Sequence, residues 1–290
     1  MSRFVLSAFG DEIASDLQTQ MDILEKHSIN YIEMRKVNGK GVEQHALAEI
    51  KTIKKQMDAR GFKVSAIGSP IGKIKITDDF GPHLELFRHV IEIGKILETN
   101  YIRMFSFFIP EGENPVKYRD EVMRRWESFI QMAAGSGLVL LHENEKGIYG
   151  DTPERCLDLL QTMDCSYFKA IFDPANFVQC DAETYPKGYT LLKEYLVYLH
   201  IKDALYSNHR VVPAGRGDGK VKEILTALDH QGFEGFLSLE PHLALFDGFA
   251  DLEPSSSQPT LPPGDNPEKF AIAANALKKI ILELEADRQR

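Results

Sequence analysis

Four stretches in the second half of the chain share one grammar: an apolar run ends abruptly in a residue able to ligate a metal or move a proton. GLVLLHENEK carries Glu143, KAIFDPANF carries Asp173, LVYLHIKDA carries His200 and FLSLEPH carries Glu240. Three carboxylates and one imidazole form an oxygen-rich donor set. Such a set suits one divalent ion, with Mn2+ preferred, Mg2+ or Co2+ close behind and Zn2+ tolerated. A keto-sugar could chelate that ion through two adjacent oxygens, and polarisation of its carbonyl would acidify the neighbouring C–H. Glu143 and Glu240 are then the acid/base pair, one removing a proton and the other returning it. Taken singly, a strand-end acid is more often a helix cap, and a lone histidine more often a satisfied core residue. Four such ends in succession favour one shared site.

The elements that would position these residues alternate along the whole chain. Short apolar strands are expected at Arg3–Phe9, Tyr31–Val37, Phe62–Ile67, Tyr101–Phe108, the run from Leu138, Phe168–Phe172, Leu196–Ile201 and Phe236–Leu239. Between them, apolar residues recur at spacings of three and four, as in Leu47, Ile50, Ile53 and Met57, which predicts helices. Thr152 followed by Pro153 reads as a helix start, and Gly61 as a stop. Eight strand–helix units in one chain predict an α/β fold, a (β/α)8 TIM barrel spanning residues 1–290 as a single domain. The active site of such a barrel lies at the C-terminal ends of its strands, where the four candidate ligands fall. An open doubly wound sheet would need a glycine-rich loop after the first strand, and FGDEIASD has one glycine. Residues 244–267, ALFDGFADLEPSSSQPTLPPGDNP, exceed an ordinary connection. They are expected to act as a lid, with a solvated surface loop as the alternative.

Composition excludes several functions. The chain has 290 residues, 43% hydrophobic and 27% charged, with a formal net charge of −9. An acidic chain has no general attraction for nucleic acid or anionic membrane surfaces. No apolar run reaches transmembrane length. Cys156, Cys165 and Cys180 have neither CxxC spacing nor an even count, so a reduced, cytoplasmic protein is expected.

Further residues could line the pocket. Lys202 shares the side of His200 and could stabilise an enolate oxygen or bind an anion; a salt bridge with Asp203 or another acid is the alternative. His242 follows Glu240 by two. Phe9, Met104 and Phe107 could form an apolar wall for a sugar ring, with core packing as the default. Lys73 and Arg216 read more readily as solvated surface, and GRGDG as a glycine turn. By alternation, His142 points away from Glu143.

LHENEKGIYGD, IFDPANF, LHIKDA, VPAGRGDGK and LSLEPH together resemble the sugar phosphate isomerase/epimerase family of xylose isomerase-like TIM barrels. The resemblance implies metal ligation by Glu143, Asp173, His200 and Glu240, and proton transfer by the two glutamates. It implies a small carbohydrate substrate and assembly into homo-oligomers. It also places a substrate-contacting arginine shortly after the histidine, with Arg210 the nearest match. One position departs from the epimerase pattern. The histidine common three residues after the metal aspartate is Asn176, which can hydrogen-bond a hydroxyl but cannot exchange a proton near neutral pH. An isomerase or epimerase leads this reading. A lyase or dehydratase acting on a keto-sugar or keto-glycoside is second, and a non-catalytic sugar-binding subunit is remote. A phosphodiesterase acting on abasic DNA fits poorly, because the chain is acidic and shows one four-ligand site.

Overall fold

The computed structural model describes residues 3–246, 249 and 265–288. Eight parallel strands close into a barrel: β1 (Arg3–Ala8), β2 (Tyr31–Met34), β3 (Lys63–Ile67), β4 (Tyr101–Met104), β5 (Val139–Glu143), β6 (Phe168–Phe172), β7 (Leu196–Ile201) and β8 (Glu234–Leu239). Neighbours pair in chain order, and β1 closes the ring against β8 in register from Arg3 opposite Glu234 to Ala8 opposite Leu239. Around the barrel run α1 (Leu17–Lys26), α2 (Leu47–Asp58), α3 (Gly81–Leu97), α4 (Arg119–Ala133) and α5 (Pro153–Met163). The short α6 (Pro174–Gln179) and α7 (Tyr189–Leu192) follow, then α8 (Val221–His230) and α9 (Asn266–Arg288). This is the expected (β/α)8 barrel. No helix among the described residues is long and apolar enough to cross a membrane. All three cysteines are free.

The period of two along each strand builds the barrel interior in layers. The rings of Tyr101, Tyr198 and Phe236 meet, with centroids 5.5–6.3 Å apart, and pack with Leu141 and Ile171 as an apolar floor. Two residues further along the same faces stand Arg103, His200, Ser238 and Glu143. The alternation that fills the floor thus lifts charged groups towards the strand ends. The other strand faces meet the helices. There Trp126 packs on Phe168 with centroids 4.4 Å apart, and Phe129 packs edge-on to Phe87 at 4.9 Å. The first pair joins α4 to β6 and the second joins α3 to α4, each burying a large apolar area. At the start of α5, the Thr152 hydroxyl accepts the Arg155 amide, as its sequence position predicts.

The second and fourth strands and Phe107 depart from expectation, the fourth strand ending at Met104 rather than Phe108. The second strand ends at Met34 rather than Val37, because Lys36–Val37 turns back on Lys40–Gly41 as a hairpin. Asn38 and Gly39, at φ +52° and +76°, supply the two left-handed residues of its tight turn. Phe107 is not part of a pocket wall. Its φ of +65° breaks strand alternation and turns the ring into the helix layer, stacked on Phe129 at 5.9 Å and edge-on to Phe80. Most of the expected lid, 244–267, lies outside the described residues.

Candidate active site

The four strand-end residues converge. Glu143, Asp173, His200 and Glu240 are buried, and each offers a ligating atom within 4.8 Å of the others. His200 Nδ1 lies 2.8 Å from Glu143 Oε1, 3.4 Å from Glu240 Oε2 and 3.9 Å from Asp173 Oδ2. Its other nitrogen faces away: Nε2 is 3.1–3.2 Å from both oxygens of Glu33 on β2. With Nε2–H donating to Glu33, Nδ1 is the nitrogen that faces the carboxylate cluster, and on losing its proton it would present a lone pair there, the orientation a metal-binding imidazole needs.

Each carboxylate divides its two oxygens. Asp173 Oδ1 accepts the Asn176 amide at 2.9 Å, capping α6, and Oδ2 faces the cluster. Glu240 Oε2 faces His200 and Lys202, and its Oε1 is 3.0 Å from Arg35 Nη1. Glu143 Oε1 faces His200, and its Oε2 is 3.2 Å from Arg103 Nη1. Arg103 also lies 3.6 Å from Glu240, so one guanidinium spans both glutamates. Glu143 Oε2 and Asp173 Oδ2 are buried with no hydrogen-bond partner in proper geometry. Arg103 and Lys202 lie 3.2 and 2.9 Å from them without an aligned N–H, and a bound cation would satisfy these buried acceptors directly. Three carboxylates and an oriented imidazole therefore fit a divalent ion.

Electrostatics follow from this crowding. Burial alone would lower the His200 pKa, but Glu143, Glu33 and Glu240 overcome it and hold it well above the ordinary imidazole value. Burial raises Asp173 to about 6 against the opposing pull of Lys202. Burial would raise Glu240 too, yet Lys202, His242 and His200 bring it well below the usual carboxylate range. Glu12 is pushed up to about 7 by burial, opposed by His242 and Arg35.

Other residues singled out in the sequence divide. Lys202 does not pair with Asp203; its ammonium lies 2.9 Å from Asp173 and 3.1 Å from Glu240. Asp203 instead accepts the amides of Ala204, Gly215, Gly217 and Gly219, each at 2.9 Å, so GRGDG wraps a buried carboxylate. Gly217 and Gly219 approach so closely that an added Cβ would come within 2.3 and 2.7 Å of Asp203. His242 reaches the site: its amide donates to Glu12, and its ring lies 3.5–3.6 Å from Glu12 and Glu240. The rings of Phe246 and Phe249, in the described part of the long loop, pack on it. Asn176 is fully buried, donating to the Asn144 carbonyl at 2.9 Å and lying 3.4 Å from Glu143. Arg210 stands half-buried in the loop between Asp203–Ala204 and Val211–Val212. Phe9 packs edge-on to His200 at 5.2 Å, beneath Arg35 and Arg103. Met104 is buried on the opposite face of β4 from Arg103, in register with His142. His142 faces outward, 2.9 Å from Ser106 and edge-on to Trp126. Lys73 is partly buried rather than free surface, 3.1 Å from Glu145 and over the Phe105 ring. Arg216 is exposed.

Sequence reading missed Glu12, Glu33, Arg35 and Arg103, all from the first half of the barrel. The available signal was parity. Glu33 lies on β2 and Arg35 follows it by two, just past the strand's end, and a charge on the inner face of a barrel strand needs a partner. Asn144, which by sequence position beside Glu143 is expected behind the ligands or at the pocket rim, is buried. It exchanges two hydrogen bonds with Asp173, amide to carbonyl at 2.8 Å and backbone amide to side chain at 2.9 Å, locking the ends of β5 and β6 together.

Comparison with known proteins follows this geometry. The fold superposes on D-psicose 3-epimerase with D-tagatose from Clostridium cellulolyticum H10, with a TM-score of 0.77 and 14% identity over 97% of this chain and 99% of that one. The IOLI protein with a bound zinc atom gives 0.73 and 15% over 97% and 99%. The probable 3-DHS dehydratase AsbF of Bacillus anthracis gives 0.66 and 16% over 81% and 92%. At these identities the likeness is one of fold. No curated protein matches the sequence. The family model described as xylose isomerase-like TIM barrel matches residues 21–259. The chain belongs to the xylose isomerase-like TIM barrel family.

Proposed function

We propose that the protein is a divalent-metal-dependent isomerase or epimerase of a keto-sugar or sugar derivative. The observation that carries this reading is the convergence of four buried ligating groups, two of them glutamates whose second oxygens one arginine spans. Glu143, Asp173, His200 and Glu240 would hold one ion, Mn2+ by preference, which when bound would polarise a substrate carbonyl. The side chains supply the rest. Glu143 and Glu240 approach from strands β5 and β8, so one can take a proton from a substrate carbon while the other delivers one. Arg103 holds both carboxylates in place. Lys202, buried beside Asp173 and Glu240, offers a fixed positive charge where an enolate oxygen would develop. Asn176 and His242 would offer hydrogen bonds to hydroxyls, and Arg210 is assigned a substrate contact from its loop. The free cysteines agree with a reducing, cytoplasmic setting.

The epimerase and zinc-bound neighbours lend support through shared fold. The test is deuterium incorporation from D2O into a panel of ketoses, with Mn2+ and after chelation. Exchange that requires the metal and is lost in Glu143→Gln supports the proposal; exchange untouched by either change sinks it.

Asn176 favours a second reading. The position beside Glu143 cannot shuttle a proton, and the same first step can end in elimination from a keto-sugar or keto-glycoside. Product mass separates the two, because elimination changes it and isomerisation does not.

A further inference from the structure

Resting on the reading just proposed, we infer that the substrate is an uncharged sugar unit, carrying neither phosphate nor carboxylate. The reason is how the basic side chains of the site are already used. Arg35 is held by Asp11 at 2.8 Å, Glu240 at 3.0 Å and Glu12 at 3.4 Å. Arg103 is held by Glu143 and Glu240, and Lys202 by Asp173 and Glu240. Lys73 and Lys146 both lie 3.1 Å from the single carboxylate of Glu145. Every one of these five cations therefore sits against a carboxylate of the protein itself.

The charge count agrees. Those five cations face six carboxylates in these pairs, and Glu33 behind His200 makes a seventh. The carboxylates around the site therefore outnumber these basic side chains. An anionic substrate would then have to pull a guanidinium or ammonium from its partner, stranding a buried carboxylate. In sequence, residues 244–267 add four acidic residues, Asp247, Asp251, Glu253 and Asp265, and no Lys, Arg or His. Neutral hydroxyls face no such penalty. They can accept from the paired arginines and donate to the same carboxylates, which retain spare lone pairs.

Arg210, in its loop beyond Gln179, is the remaining basic residue read as a substrate contact, so the experiment must isolate it. Calorimetric titration of the Mn2+-loaded protein with D-tagatose, D-tagatose 6-phosphate and inorganic phosphate ranks neutral against charged probes directly. Deuterium exchange into the two sugars is followed in parallel. The free ketose is expected to bind at least roughly tenfold tighter than its phosphate, because uncompensated like charge in a pocket is strongly penalised. Inorganic phosphate is expected not to displace it. Tighter binding of the ester or of inorganic phosphate overturns the inference. If that preference disappears in Arg210→Gln, Arg210 is the anion anchor that the charge count denies. Absence of binding by all three probes also overturns it. Exchange confined to the phosphate ester overturns the inference and leaves the isomerase reading standing. Binding of the free sugar with no exchange from any probe does the reverse.

Discussion

Removing the acceptor behind His200 should weaken metal binding without touching a ligand. Glu33 is fully buried and serves two donors: the Tyr198 hydroxyl at 2.8 Å and His200 Nε2–H at 3.1–3.2 Å. Glu33→Gln keeps the shape but has one oxygen for both donors. Either Tyr198 or His200 must then face an amide NH2. When His200 loses, its tautomer is no longer fixed and Nδ1 is not held as a lone pair towards the cluster. Partners of this kind are typically worth 10–100-fold in metal affinity, or about 1.4–2.7 kcal/mol. Competition calorimetry of Mn2+ or Zn2+ against a chelator measures it, with circular dichroism to check the fold. A Glu33→Gln protein that binds the ion as tightly as wild type, with its fold intact, would refute the assigned role of Glu33.

Metal uptake should release protons, because His200 is held above the ordinary imidazole value and must lose its proton to ligate. Affinity should therefore rise with pH, by up to about tenfold per unit for the one proton, and titrations in buffers of different ionisation heat will count it. Zero release contradicts the assignment. Asp203→Ala leaves Ala204, Gly215, Gly217 and Gly219 without their shared acceptor. It should cost roughly 3 kcal/mol or more in urea unfolding, and a loss below about 1 kcal/mol would show the loop is not organised by that carboxylate. Acid should also destabilise the fold through His142. Burial lowers its pKa to about 3, so the unfolded chain, near 6.5, takes up the proton first. Stability from this group is complete above the unfolded value and is lost as pH falls from there towards 3. At pH 5 the loss is about 2 kcal/mol, and His142→Asn should flatten the slope between pH 7 and 5. An unchanged slope would place the acid sensitivity elsewhere.

The parts of the site legible in the sequence are those where strand grammar breaks. Glu143, Asp173, His200 and Glu240 each end an apolar run, and their convergence follows from the barrel alone. Glu33, Arg35 and Arg103 were hidden because each is one charge inside or beside an ordinary strand, and only closure of the barrel brings them across from β5, β7 and β8. Local backbone conformation hid others. The left-handed turn at Phe107 reversed a ring that alternation would have pointed inward. α6 was legible in principle, since Asp173–Pro174 is a cap followed by a first-turn proline, but Asp173 had been read only as a ligand. One carboxylate does both tasks by dividing its oxygens.

The central claim is that Glu143, Asp173, His200 and Glu240 hold one divalent ion. Anomalous diffraction at the manganese edge, from crystals of the Mn2+-loaded protein, tests it most directly. The account predicts a single strong peak within roughly 2.0–2.4 Å of His200 Nδ1 and of an oxygen from each of the three carboxylates. A peak bound elsewhere, or ligation through His200 Nε2, would contradict it.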